Sequence, residues 1–224
     1  MTETEWLTWA SDPELMLKLL PTVGTVSDRK LRLFAVACCR RAMTAADVRP
    51  RTEPFVDVAE RFADGEATTN DLQNVRCHPA VSVEHGRTNS ALHHACLNAA
   101  EAEAGVVMAD CAALNAAWGA TQPRSVMSDD DGISEGRLVR EQVDQCALLR
   151  DVFGNPFRPL NFNPEWRTDT AISLARLMYD SRDFTATPIL ADALQDAGCD
   201  NDDILSHCRS EGAHRVRVLR VGPR

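Results

Sequence analysis

The sequence predicts an all-α fold, a bundle of about eight to nine helices with a short strand at its C-terminal end. Apolar residues recur at the i, i+3, i+4, i+7 spacing of helices over most of the 224 residues. Capping residues and prolines divide this pattern into helix-sized segments. Strand-like alternation is confined to "HRVRVLRVG" near the C-terminus. With 44% hydrophobic residues, the chain is able to bury a sizeable core.

Start signals define the first two helices. Asp12 supplies a capping side chain and Pro13 the first helical residue, and this helix is expected to stop before Pro21. Ser27 caps a second helix, which is apolar around most of its circumference and is therefore expected to be central. Its predicted core face comprises Leu31, Phe34, Ala35, Cys38 and Ala42.

Three further helices are predicted before residue 119. The third covers residues 53–65 and ends at Gly65, a residue type favoured at helix C-termini. A short element begins at residue 69 or 70. The alanine-rich stretch 90–118 predicts one long helix, because alanine has the highest helix propensity.

The C-terminal half continues the helical pattern after a loop at 119–133, which contains proline, glycine and a run of acids. A helix over residues 133–154 follows, and then a proline-rich segment, 155–167, that is expected to be non-helical. The inward residues predicted for the 133–154 helix are Leu138, Val139, Val143, Cys146, Leu149 and Val152 or Phe153.

The last three helices are short. Thr168 or Asp169 caps a helix over 170–180, and helices at 187–198 and 202–209 follow. We interpret residues 1–209 as a single helical domain with a flexible joint at 119–133. Residues 210–224 form an arginine-rich tail.

Composition narrows the classes of function. The net charge is −9, and a basic stripe is confined to the tail, so nucleic-acid binding is not expected. No stretch approaches the 18 or so apolar residues of a membrane span, and the N-terminus carries acids where an export signal has basic residues. We therefore expect a cytoplasmic protein without a membrane partner, whose eight cysteines are reduced.

The window 189–214 is rich in cysteine and histidine, and it admits a metal site, a catalytic thiol or packing cysteines as interpretations. Cys199 and Cys208 lie at opposite ends of the 202–209 helix, on the order of 12 Å apart along its axis. A zinc site would therefore need ligands from elsewhere. The first candidate is the second helix, which contains the sequence Cys38-Cys39-Arg40. The candidate ligands are Cys38, Cys39, Cys199, His207 and Cys208. Buried core cysteines, with no cofactor, are the favoured interpretation.

Four segments together resemble a group of uncharacterised helix-rich bacterial proteins that is plentiful in planctomycetes. They are "SDRKLRLFAVACCRR" (27–41), "VAERFADG" (58–65), "LLRDVFGNPFRP" (148–159) and "PILADALQDAGCDNDDILSHCR" (188–209). The resemblance implies a bacterial, intracellular, helix-rich module and implies no reaction.

A non-enzymatic module that binds another protein or a peptide, with a regulatory role, is the leading functional hypothesis. No phosphate loop, nucleophile motif or paired metal-protease histidines occur in the sequence. The alternatives are a metalloprotein with structural zinc or iron and, with less support, an enzyme whose groove includes Arg158 and His207. The candidate partner-binding residues are Phe157, Arg158, Trp166, Arg215 and Arg217.

Overall fold

The fold was derived from a computed structural model. It describes residues 1–9, 11–24, 26–46, 49–76, 95–96, 98–101, 105, 109, 112–113, 116, 131–159, 162–181 and 183–209. Within these residues 77% are helical and none forms a strand, so the predicted all-α class is confirmed. The strand predicted near the C-terminus falls in 210–224, outside the described residues. No helix in the described part combines the length and apolar character that crossing a membrane requires.

The helices are numbered in chain order. They are α1 (Pro13–Val23), α2 (Asp28–Ala46), α3 (Arg49–Ala63), α4 (Thr69–Arg76), α5 (Asp131–Phe153), α6 (Asp169–Ser181), α7 (Thr187–Asp196) and α8 (Asp202–Arg209). A π-helical turn, Glu5–Trp9, precedes α1, and a 3₁₀ turn, Pro164–Trp166, precedes α6.

The chain divides into two compact units, residues 1–157 and 158–224. The first contains α1 to α5 and the second contains α6 to α8. The division falls inside the proline-rich segment, which is non-helical apart from its 3₁₀ turn, as predicted. Most of the predicted joint at 119–133 lies outside the described residues, and its last three residues belong to α5.

Helix α2 is the centre of the first unit. Every residue from 31 to 39 is buried, and α2 packs against both α3 and α5. The predicted core face is therefore confirmed, and the neighbouring apolar residues of the helix are buried with it. Helices α1 and α4 pack in turn against α5 and α3.

The start of α1 is confirmed, but its predicted end is wrong. The Asp12 carboxylate accepts hydrogen bonds from the backbone N–H groups of Glu14 and Leu15, at 2.9 and 3.3 Å. The helix continues through Pro21 to Val23. Pro21 lies in the last turn, where its missing N–H removes only one helical hydrogen bond. The Thr22 hydroxyl donates to the carbonyl of Leu19 in that turn, at 2.7 Å.

Glycine terminates α3 and α7 in the same way, as the sequence predicts. Gly65 and Gly198 have φ angles of 74° and 87°. After α7, the N–H of Gly198 donates to the carbonyl of Gln195, and that of Cys199 donates to the carbonyl of Leu194, both at 2.9 Å. This pair of bonds is the Schellman motif, and the buried side chains of Cys199 and Leu194 belong to one cluster beneath it.

The prediction of one continuous helix over 90–118 is wrong. Glu101 and Gly105 are not helical, and a new helical turn begins where the N–H of Ala109 donates to Gly105. The buried guanidinium of Arg32 lies at this interruption and binds backbone carbonyls there. Its Nη1 donates to the carbonyls of Ala99 and Glu101, at 3.0 and 2.5 Å.

Replacing Gly198 tests the Schellman cap. Gly198→Ala should lower the free energy of unfolding of the second unit by about 1 kcal/mol, because a Cβ is disfavoured at positive φ. Gly198→Asn should lose less, since asparagine tolerates this conformation. Urea titration followed by circular dichroism measures both. The control is Ser173→Ala on the exposed side of α6, expected within about 0.5 kcal/mol of the unmodified chain. Equal stability of the Ala and Ser173 variants would contradict the assignment.

Candidate functional site

The six described cysteines are all buried: Cys38, Cys39, Cys96, Cys146, Cys199 and Cys208. Burial raises the pKa of Cys38 well above its ordinary range and raises the pKa of Cys146 and Cys208 to about 11. A hydrogen bond with Cys96, together with burial, raises the pKa of Cys39. Since the thiolate is the nucleophile and the metal ligand, these four thiols are held in their unreactive form at neutral pH.

The candidate metal ligands are divided between the two units. Cys38 and Cys39 belong to the first unit, whereas Cys199, His207 and Cys208 belong to the second. Across the part of the chain that the structure describes, no group of three or more His, Cys, Asp or Glu side chains could hold a metal ion. The zinc or iron site therefore stays a prediction without a supporting observation.

Cys199 and Cys208 both lie in the core of the second unit. Both side chains belong to the same buried cluster, and the charge of Cys199 adds to the rise in the pKa of Cys208. Cys199 precedes α8 and is buried at the end of the Schellman motif. His207 is exposed. The two cysteines contribute to the core of the second unit.

The candidate partner-binding residues have different environments. Phe157 is half-buried and Arg158 is exposed. Trp166 is only 8% exposed and lies in the core of the second unit, with its ring edge-to-face against Phe162 at 5.4 Å. The remaining two, Arg215 and Arg217, fall in 210–224, outside the described residues.

Two arginines at the end of the CCRR sequence connect α2 to its neighbours. Arg40 donates to Asp57 and Glu60 of α3, at 2.8 and 2.5 Å. Arg41 binds Glu141 of α5 through two hydrogen bonds, Nε to Oε1 at 3.2 Å and Nη2 to Oε2 at 3.1 Å. Arg41 also donates to Asp144, one turn further along α5. Glu60 and Glu141 are both buried, so these ion pairs are integral to the packing of the unit.

The rotation of α5 differs from the prediction. Its buried side includes the polar residues Glu141 and Gln145, and Gln145 donates from Nε2 to the carbonyl of Ala113 at 2.9 Å. Val139 and Val143, predicted to face inward, are 51% and 44% exposed. The physical reason is that Arg41 requires Glu141 beside it, and this turns the two valines outward. Cys146, Leu149 and Val152 are buried, as predicted.

A second contact fixes the C-terminal end of α5. The indole Nε1 of Trp6 donates to the carbonyl of Gly154 at 2.9 Å, and Nε of Arg150 donates to the carbonyl of Trp6 at 2.6 Å. The Trp6 side chain is fully buried. Helix α5 is therefore held at its middle by α2 and at its end by the N-terminal turn. Nothing in the periodicity of the sequence indicates this role of Trp6.

The outward side of α5 carries a non-polar row, which we call the α5 row: Gly136, Val139, Val143 and Ala147. All four residues are exposed. At about 100° per residue, they fall within an arc of about 80° on the helix surface. The row is therefore a narrow strip about three turns long, on a helix whose opposite side is anchored in the core.

Four charged residues lie beside the α5 row, and we call them the charged flank: Arg137, Arg140, Asp144 and Asp151. By the same helical geometry they occupy a band about 60° wide, immediately next to the row. Arg137 and Arg140 are exposed, and the Asp144 side chain remains 45% exposed although it pairs with Arg41. The positive residues precede the negative residues along the chain.

No protein family, curated protein or solved structure matches this chain. Its class therefore follows from the described residues alone. They define an all-α protein in which a buried central helix anchors a second helix through ion pairs. That second helix presents a non-polar row with a charged flank to solvent.

Removing the Arg41 ion pairs should destabilise the first unit. Arg41→Met leaves the buried Glu141 carboxylate unpaired, which should cost about 3 kcal/mol of the free energy of unfolding in a urea titration. Arg41→Met with Glu141→Leu should recover most of this loss, because the buried charge is then absent. Lys18→Met is the control, since it breaks an exposed ion pair with Glu14 and should cost under about 0.5 kcal/mol. Equal losses of unfolding free energy in Arg41→Met and Lys18→Met would contradict the role of Arg41.

The buried thiols should resist alkylation in the folded protein. Near pH 8, a thiol whose pKa is about 11 has roughly a hundredfold less thiolate than one with the ordinary pKa of 9.0. Iodoacetamide should therefore modify Cys146 and Cys208 at least a hundredfold more slowly than free cysteine, and the rate should rise as pH approaches 11. Peptide mass spectrometry measures each site, and denaturant should abolish the protection. Fast labelling of either residue in the folded chain would contradict the burial.

Proposed function

We propose that this protein is a non-enzymatic helical module that binds another protein or a peptide through the α5 row. The observation that carries the proposal is the exposure of Val139 and Val143, one turn apart on an anchored helix. Single exposed apolar residues are normal on protein surfaces, whereas a contiguous non-polar strip is typical of an interaction site. When Arg41 pairs with Glu141, α5 is rotated so that these valines remain exposed to solvent. A bound partner would bury them.

The shape of the α5 row favours a helix as the partner element. A narrow non-polar strip along a helix is the seam by which two helices pack, and helix recognition commonly uses such i, i+4 contacts. Gly136 and Ala147 are small, which allows the backbone of a neighbouring helix to approach closely. Within this chain, a Cβ added at Gly136 would meet nothing within 4 Å.

The presence of Gly136 in the row is a second argument for a binding surface. Glycine inside a helix destabilises it by up to about 1 kcal/mol relative to alanine. Among the residues that the structure describes, no close contact requires the missing side chain at Gly136. A partner helix that lies against this turn would supply the requirement. The proposal thus accounts for the glycine and the two valines with one surface.

Photo-cross-linking from the row tests this function. A photoreactive phenylalanine analogue at Ala147, introduced in the producing cells, should give one dominant covalent adduct with a protein. Val139→Asp should reduce the adduct at least tenfold, because a carboxylate would be buried in the interface. The same analogue at Arg176, exposed on α6, is the positional control and should give no such adduct.

The stability of the aspartate variant completes the test. Val139→Asp should leave the free energy of unfolding of the chain alone within about 0.5 kcal/mol, since the side chain is already exposed. A larger loss would mean that Val139 packs within its own chain. An adduct that persists unchanged in Val139→Asp would equally overturn the proposal.

A further inference from the structure

The order of charges on the charged flank is self-complementary. Arg137 and Arg140 lie in one half of the flank, and Asp144 and Asp151 in the other. When two identical helices pack antiparallel about a two-fold axis, the same flank of each helix meets itself with its direction reversed. Each arginine half would then face an aspartate half. In a parallel two-fold pair, the charged flanks of the two helices would lie on opposite sides of the contact and would not meet, so only the antiparallel pair uses this charge order.

We propose that the partner of the α5 row is a second copy of this chain, with the two α5 helices packed antiparallel about an axis at Val143. The proposal rests on the proposed function and names the occupant of the same surface. It commits to a symmetric pair because both the row and the flank are complementary to themselves. A two-fold interface of this kind uses one surface patch twice and closes after two copies.

Placing the axis at Val143 determines the register. Arg140 then lies about 3 Å along the axis from Asp144 of the second copy, at about 1.5 Å per residue. Arg137 has the same offset of about 3 Å from Asp151 of the second copy. Long arginine side chains span such axial offsets, so one register brings Arg140 close to Asp144 in both copies, and Arg137 close to the half-buried Asp151.

The same register matches large side chains with small ones. Val143 meets Val143 of the second copy, and Val139 lies opposite Ala147. Gly136 lies opposite Arg150, whose Nε is held by the carbonyl of Trp6 within its own chain. A single helix pair is a small interface, so we expect association in the range of about 1 μM to 1 mM. The ion pairs on its exposed edge contribute more to orientation than to affinity.

Site-directed cysteine cross-linking tests the axis. Val143→Cys should form an intermolecular disulfide under oxidised glutathione at least tenfold faster than Val139→Cys. Two cysteines at the axis face each other within bonding reach, whereas two at position 139 are about 12 Å apart along the helices. The unmodified chain gives the background rate. Equal rates in the two variants would overturn the register and the axis.

Charge reversal tests the pairing. In sedimentation equilibrium, Arg140→Asp should weaken self-association at least tenfold, because like charges then face each other. Asp144→Arg should do the same, and because it also removes the Arg41–Asp144 pair, circular dichroism must show that this variant is folded. An equimolar mixture of the two variants should associate at least as well as the unmodified chain, since each arginine again meets an aspartate. Lys18→Asp, at an exposed position of α1, is the control and should leave association unchanged. Failure of the mixture to associate would overturn the proposal.

The outcomes distinguish failure of the proposed dimer from failure of the proposed binding function. A chain that is monomeric at about 1 mM overturns the second copy as partner. If the adduct from Ala147 then contains a different protein and is lost in Val139→Asp, the binding function stands with another occupant. If the chain is monomeric and no adduct depends on Val139, both proposals fail.

Discussion

The burial of α2 is the constraint on which the first unit depends. This helix is surrounded, yet it carries arginines, and a guanidinium taken out of water must meet carboxylates or carbonyls or it destabilises the fold by several kcal/mol. Each neighbour therefore presents a polar group at one defined place. The resulting contacts are Arg29 with Asp64, Arg32 with the carbonyls of Ala99 and Glu101, Arg40 with Glu60, and Arg41 with Glu141.

The same constraint shapes the surface of α5. Because Glu141 must lie beside Arg41, α5 has one rotation about its axis, and Gln145 is buried on that side as well. Two polar residues thus occupy core positions that valines would otherwise fill. Val139 and Val143 face outward as a direct result. The non-polar row is therefore a consequence of how the interior is paired, which connects the electrostatics of the core to the proposed interface.

Features that depend on residues close together in the sequence were predicted correctly, whereas features that depend on distant residues were not. The Asp12 cap, the Gly65 and Gly198 termini and the buried face of α2 depend on neighbouring residues, and they were predictable. The rotation of α5 was not, because apolar periodicity assigns Val139 inward and contains no information about a distant arginine. The break near Glu101 likewise lies where a distant residue, Arg32, binds the chain. The candidate site was consequently missed, although its residues were assigned to the correct helix.

Asp144 joins the fold and the proposed interface, and this makes them thermodynamically linked. Its carboxylate accepts from Arg41 within the chain and is still partly exposed, so it can accept from Arg140 of a second copy as well. A carboxylate has capacity for several donors, and two guanidinium groups around it form a network rather than competing pairs. Association would then stabilise the packing of α5 against α2, because a partner that binds only the folded chain stabilises the folded state. The proposed dimer and the ion pairs of the core thus favour the same rotation of α5.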